Sequence, residues 1–383
     1  PGIEHDPPPT LDVLRDDRQI VYSPVSYRGM GNWVLKSYDL ILEAFQNPEL
    51  FSSDRYSGFS ALIGDTWAMP PMEVDPPHNG PFRMLLNPLF SPKRMAELEE
   101  GVTATVRELL DGLRAKGSCE FQSDFGMRLP TTVFLRLVGL PLEDAATLLR
   151  WEYQLMHGKT LENRSAGARS IKEYLLGHIR DRERNRRDDI ISYIVHAEVD
   201  GRPLTPDEKL GICFLLYAAG LDTVAAALGF IFRFMALNPD RQEELRANPD
   251  QRTWAIEEIM RANMNNIPGR WVTKDIEFHG VKMRKGDYVS LATMFANRDP
   301  AQFEEPSRID FARANATRHV AFGTGVHSCL GKHLARRELR IAMNGWLDDM
   351  PPFRVGSRGP VTYGGAVFGV ASLDLAWTPP ARA

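Results

Sequence analysis

Two apolar spacings alternate along the chain, and the switches between them predict its elements. Ile20, Val21 and Tyr22, then Trp33, Val34 and Leu35, bring β-branched and aromatic content to 19–36 and predict a hairpin after an irregular arm over 1–18. A short helix is predicted over 37–48. From there to about residue 262 apolar positions recur at helical spacing, interrupted by Pro, Gly and Asn-Pro stops. They predict helices near 92–115, 128–138, 142–157, 166–183, 187–197 and 206–237. Strand-like alternation returns over 265–290 and 352–377. No Gly/Ser-rich or Pro-rich linker and no repeat divides the sequence. The expectation is a single domain over residues 1–383, mainly α with small β-sheets (α+β).

The longest predicted helix is the most informative. Thr205-Pro206-Asp207-Glu208 supplies an N-cap, a proline at the first helical position and a glutamate three residues after the cap. Asn238-Pro239 stops the helix, giving about 32 residues, or roughly 48 Å. Its middle reads Tyr217-Ala218-Ala219-Gly220-Leu221-Asp222-Thr223. A glycine there costs about 1 kcal/mol against alanine, and an acid beside a threonine is awkward among apolar neighbours. The Thr223 hydroxyl can bond back to the carbonyl of Ala219 and loosen the turn. Gly220 either eases helix packing or, with Asp222 and Thr223, marks a loosened turn that makes room for a ligand and passes protons.

A second stretch runs from His319 to Arg340. The run Val320–Phe322 enters a loop with glycines at 323 and 325, and helical character resumes after Cys329. A cysteine where a helix begins faces unpaired N–H groups and the positive end of the helix dipole, which favours a thiolate. Gly331 keeps the first turn bare, which suits a flat ligand. These features describe either a thiolate on haem iron or simply a small buried cysteine near a helix start. A dinucleotide loop is excluded because Ser328 stands at the third glycine position and no acidic residue closes a second strand.

Composition narrows the class. With 43% hydrophobic and 25% charged residues the chain has the content of a globular protein with a large core, and a net charge of −4 argues against general nucleic-acid affinity. No apolar run reads as a membrane span without a charge or helix stop, and the first residues lack the pattern of a signal peptide. Three scattered cysteines (Cys119, Cys213, Cys329) argue against a disulfide scaffold, so the cytoplasm is the expected compartment.

The pattern Phe322-x-x-Gly325-x-His327-x-Cys329-x-Gly331 resembles the haem-binding signature of the cytochrome P-450 monooxygenases. Ala219-Gly220-Leu221-Asp222-Thr223 is similar to that family's central-helix motif over the distal face of the haem. Glu258-Ile259-Met260-Arg261 is similar to its Glu-x-x-Arg pair, with Arg308 standing where a third, structural member is expected. Phe278-His279-Gly280-Val281, Arg270 after a glycine, and Asp75-Pro76-Pro77 ahead of Arg83 are similar to the soluble bacterial branch that includes the camphor hydroxylase.

The resemblance implies the family's fold, with haem b (iron protoporphyrin IX) between the central helix and the Cys-bearing loop. It implies Cys329 as iron ligand, with Phe322, Gly323, Gly325, His327 and Gly331 forming the cradle. Arg83, Arg270 and His327 would hold the propionates, whereas His78 is one position early and Asn79 replaces the usual His. Gly220, Asp222 and Thr223 would serve oxygen activation. A pocket of Trp67, Met69, Leu215, Ala218, Ala219, Asn266 and Val367 would take a small apolar substrate, terpenoid- or norisoprenoid-like, for hydroxylation with O2. Trp67 would be either a donor to substrate or plain core, and Asn265 with Asn266 would make one side more polar. Electrons would come from a 2Fe–2S ferredoxin and an NAD(P)H-dependent ferredoxin reductase. The ferredoxin would dock at Arg83, Lys93, Arg94, Lys332, Arg336 and Arg337, with the enzyme a monomer. A peroxide-driven peroxygenase and a non-enzymatic haem sensor or carrier are the alternatives.

Overall fold

The computed structural model describes residues 13–14, 18–25, 30–264, 266–357, 362–364 and 368–379. Val367 and Asn265 lie outside the described residues, as does most of the expected N-terminal arm.

The predicted hairpin forms from Ile20–Ser23 and Asn32–Leu35. It joins a five-stranded sheet in which Asn32–Leu35 runs parallel to Tyr288–Leu291, followed by Gly269–Val272 and Phe51–Ser52. One sequence region thus contributes the edge and another the centre. Leu35, Phe51, Val272, Val289 and Leu291 close this sheet over the helix Tyr38–Gln46 as a small core of its own.

The helical bulk divides into two larger cores. One gathers Phe121, Phe125, Phe232, Trp346 and Phe353, with ring centroids 4.5–5.8 Å apart in most of these contacts. The other gathers Phe214, Tyr217, Leu148, Phe134 and Ile171. Helices Arg128–Val138, Ala145–His157 and Leu161–Arg184 build the second; Glu99–Arg114, Arg252–Asn263 and Lys332–Asp349 frame the first. Several boundaries depart from the periodicity. The segment 92–115 breaks at Leu98 into Pro92–Glu97 and Glu99–Arg114, and the segment near 166–183 extends to Leu161–Arg184 under a Thr160 cap.

The long central helix belongs to both cores. Its capping box forms as expected: the Thr205 hydroxyl accepts from the Glu208 N–H at 3.2 Å and the Thr205 N–H donates to the Glu208 carboxylate at 2.8 Å. Among the described residues Pro206–Leu237 is the one helix long and apolar enough to cross a membrane, and most of its apolar surface is buried in these cores. It is not continuous. Pro206–Gly220 and Asp222–Leu237 meet at Leu221, so the helix breaks at the glycine and acid that mark its middle.

Candidate active site

The Cys loop is held from behind. The Val320 N–H donates to Asn297 Oδ1 at 2.7 Å, the Gly323 N–H to the Val320 carbonyl at 3.0 Å, and the Cys329 N–H to the Phe322 carbonyl at 2.9 Å. Gly323 and Gly325 adopt φ of 59° and 68°, a region that favours glycine. At Gly325 a Cβ would stand 2.9 Å from the Phe45 carbonyl oxygen, so backbone packs where a side chain would go. Among the described residues nothing lies within 4 Å of the Cβ position at Gly331, which leaves the first turn of the helix Lys332–Asp349 open. Cys119 and Cys213 are buried, whereas Cys329 reaches open space even though protein surrounds it.

Burial pushes the Cys329 thiol above its ordinary value, while the Gly331 N–H and the Arg83, Lys332 and Arg336 charges pull it down, toward the thiolate that a helix start favours.

On the central helix Ala219 is exposed and Thr223 half-buried, although the residues on either side of them are mostly buried. The Thr223 hydroxyl donates to the Ala219 carbonyl at 2.9 Å, as the sequence suggested. Asp222 is 9% exposed and its Oδ2 lies 3.3 Å from His157 Nε2. This contact lacks the alignment of a hydrogen bond. The room expected at Gly220 is already taken: a Cβ there would meet the Phe134 ring at 2.7 Å. Gly220 therefore admits a packed phenylalanine, and the open position beside it is Ala219.

Arg270, Arg83 and His327 are the side chains expected at the haem carboxylates. Arg270 is 3% exposed and has no carboxylate partner among the described residues. It donates to its neighbour's Gly269 carbonyl at 2.7 Å and sits 5.5 and 5.6 Å from the Phe45 and Tyr56 rings. A buried guanidinium in such a place calls for an anion. Arg83 donates to the Ser328 carbonyl at 2.9 Å, bracing the residue before Cys329. His327 Nε2 contacts Ser53 Oγ at 3.0 Å and lies 3.8 Å from Asp75, while its Nδ1 is buried without a partner. Burial works to raise the Asp75 carboxyl, but hydrogen bonds from His327, Ser52 and Ser53 hold it well below the usual carboxylate range. His78 is exposed and Asn79 buried.

Behind the loop Glu258 and Arg261 form a fully buried pair, at 2.7 and 2.9 Å. Its third member is Arg313, which donates to Glu258 at 2.9 Å. The expected Arg308 is exposed, pairs with Glu305, and contributes only its carbonyl. The turn over 305–313 brings Arg313 back over Glu258, which a fixed sequence offset does not reveal. Glu257, next in line, takes two bonds from Arg336 at 2.7 Å and contacts His319 at 3.1 Å.

The expected substrate wall is only partly assembled. The Trp67 indole N–H donates to Asp65 at 2.9 Å, and Lys172 holds that carboxylate at 2.6 Å. The ring packs on Phe214 at 4.9 Å, so Trp67 is core and its donor is committed. Met69 is wholly buried in the same cluster, and Leu215 and Ala218 are 7% and 6% exposed. Asn266 is exposed and gives its carbonyl to Thr293. The basic face is also less free than its sequence suggests. Arg94 pairs with Glu97, Arg336 with Glu257, and Arg337 and Arg340 with Glu99.

The family profile described as Cytochrome P450 matches residues 148–348. Probable cytochrome P450 127A1 of Sinorhizobium fredii is 42% identical over 376 residues, covering 97% of this chain and 90% of that protein. The chain belongs to the cytochrome P450 family. Vitamin D(3) 25-hydroxylase of Pseudonocardia autotrophica is 31% identical over 326 residues, covering 83% of this chain and 80% of that protein. In structure the fold is that of the P450 CYP101C1, with a TM-score of 0.87 at 34% identity and 99% and 95% coverage. P450s are haem b monooxygenases that use O2 and a redox partner, and the chain is an oxidoreductase of this kind.

The residues fit that cofactor. Among the described residues, Arg270 is a buried cation without an ion pair, His327 offers an unpartnered buried Nδ1, and Gly331 leaves a flat surface beside the one thiol that reaches open space. Ser53, His157 and Arg313 were not identified by motif. Each joins the site through a contact across at least 55 residues of chain.

Proposed function

We propose that this P450 hydroxylates a C–H bond of a small apolar molecule, terpenoid- or norisoprenoid-like, with electrons from a 2Fe–2S ferredoxin and its NAD(P)H-dependent reductase. The observation that carries the reading is the break at Leu221, where Ala219 lies open beside the hydroxyl of Thr223 and the carboxylate of Asp222. Bound through Cys329, haem supplies the activation of O2 and the insertion of one oxygen atom. Phe322, Gly323, Gly325 and Gly331 shape its seat, and Arg83, Arg270 and His327 hold its carboxylates by charge-assisted bonds. The Asp222 carboxylate and the Thr223 hydroxyl carry protons to the oxygen being reduced to water. Gly220 keeps that turn in place by admitting Phe134. Ala219, Ala218 and Leu215 offer apolar contact, with Asn266 toward the polar side. Val367 belongs to the same proposal.

Lys93, Lys332 and Arg83, which lack carboxylate partners among the described residues, are the cations that a small acidic ferredoxin would meet, with the P450 a monomer. The name of the vitamin D(3) 25-hydroxylase supports a largely apolar substrate. The test is turnover of a terpenoid panel. Product that requires ferredoxin, reductase and NAD(P)H together is expected. Full activity with peroxide alone would replace this reading by a peroxygenase, and no oxidation of any panel member would favour a haem sensor or carrier.

A further inference from the structure

Asp222 can return a proton only if something resupplies it, and its surroundings are unusual. The helix Ala145–His157 lies along the break in the central helix with three polar groups turned toward it. The Leu148 carbonyl accepts from the Tyr217 hydroxyl at 2.5 Å. Glu152 is 2% exposed, and among the described residues neither carboxyl oxygen has a hydrogen-bond partner. His157 ends the helix with Nε2 3.3 Å from Asp222 Oδ2. The His157 ring stacks on Tyr153, at 4.9 Å and 6° between planes, and Tyr153 is 59% exposed. His157 thus stands between water and the buried carboxylate, 19% exposed itself.

We propose that His157 is the proton carrier that reloads Asp222 from solvent. This rests on the monooxygenase reading above. In the step, an imidazolium gives its Nε2 proton to Asp222 Oδ2. The neutral imidazole then takes a proton from water, so that charge balances and no electron moves. A histidine suits this because it both takes up and releases protons near neutral pH.

The neighbouring groups are consistent with that assignment. Facing the cluster from the central helix are Asp222 and Tyr217, whose hydroxyl is committed to Leu148. From the helix Leu161–Arg184, Arg164 donates to the Leu155 carbonyl at 3.1 Å and Tyr174 to Asp144 at 2.6 Å. The helix Arg128–Val138 presents the Phe134 ring. Burial first, and the Asp222 charge second, push the Glu152 carboxyl well above the usual range.

The test uses the haem-loaded protein with its electron donors. His157→Ala should lower product formation at least about tenfold while O2 is still consumed, and raise the solvent deuterium effect, since general acid–base groups contribute about 10²–10⁴-fold. Added imidazole should restore turnover in His157→Ala and leave His178→Gln, a control on the neighbouring helix, unaffected. Away from turnover, the infrared carboxylate bands of carbon-13 aspartate protein, assigned to Asp222 with Asp222→Asn, should shift in His157→Phe. Unchanged turnover in His157→Ala, no imidazole rescue, or an unmoved Asp222 band would overturn the proposal. A parent enzyme that oxidises nothing with ferredoxin would instead overturn the monooxygenase reading, with the infrared result still deciding the contact.

Discussion

Replacing Arg313 and Arg308 by alanine, one at a time, separates the structure from the sequence motif. Arg313 is 9% exposed and gives Glu258 a charge-assisted bond at 2.9 Å, with further bonds to the carbonyls of Glu304 at 2.7 Å and Arg308 at 3.0 Å. Breaking a buried pair by deleting one partner costs about 3–5 kcal/mol. Glu258 keeps Arg261 and the Asp310 N–H, at 2.7–3.0 Å, so Arg313→Ala should cost somewhat less, about 2–4 kcal/mol. Domains hold only about 5–15 kcal/mol in all, so the change is large. Arg308 lies in water against Glu305 and contributes nothing through its side chain to Glu258, so Arg308→Ala should leave stability unchanged. Chemical denaturation of the two variants beside the parent is the assay. Equal midpoints, or the larger loss in Arg308→Ala, would refute the assignment of Arg313 to the buried triad.

Gly325→Ala should lose about 1–3 kcal/mol through its positive φ and disturb haem retention, because the Phe45 backbone cannot yield. Gly331→Ala should show the opposite signature, normal stability with poor haem uptake, because its Cβ would enter open space; haem occupancy against denaturation midpoint separates the two. For Glu257, burial opposes ionisation but the bonds from Arg336 and His319 prevail and bring its carboxyl from 4.5 to about 2. Its stabilisation, on the order of 3 kcal/mol, is then fully present above about pH 5 and lost as pH falls toward 2. Glu257→Gln should flatten that acid limb, and an unchanged profile would count against the network.

Local patterns were legible where one element decides the outcome. The Thr205–Glu208 box, the weak turn at Gly220 and the Thr223 back-bond follow from spacing along one helix, and the structure contains all three. The glycines of the Cys loop were legible too, since a tight backbone leaves few alternatives. Contacts between distant segments were not. Trp67 reads equally as pocket or core until Asp65 is seen to take its N–H, and Arg308 and Arg313 differ only in how the chain turns. Cys329 is a related case: a helix start is visible in sequence, but the burial that opposes its pull on the thiol is not.

The most direct measurement is the optical spectrum of the reduced protein under carbon monoxide, for the parent and for Cys329→Ala. A strongly red-shifted Soret band in the parent that is lost in the variant is the predicted result, and it would identify Cys329 as the thiolate ligand of haem. A haem band unchanged by the substitution would contradict the central claim.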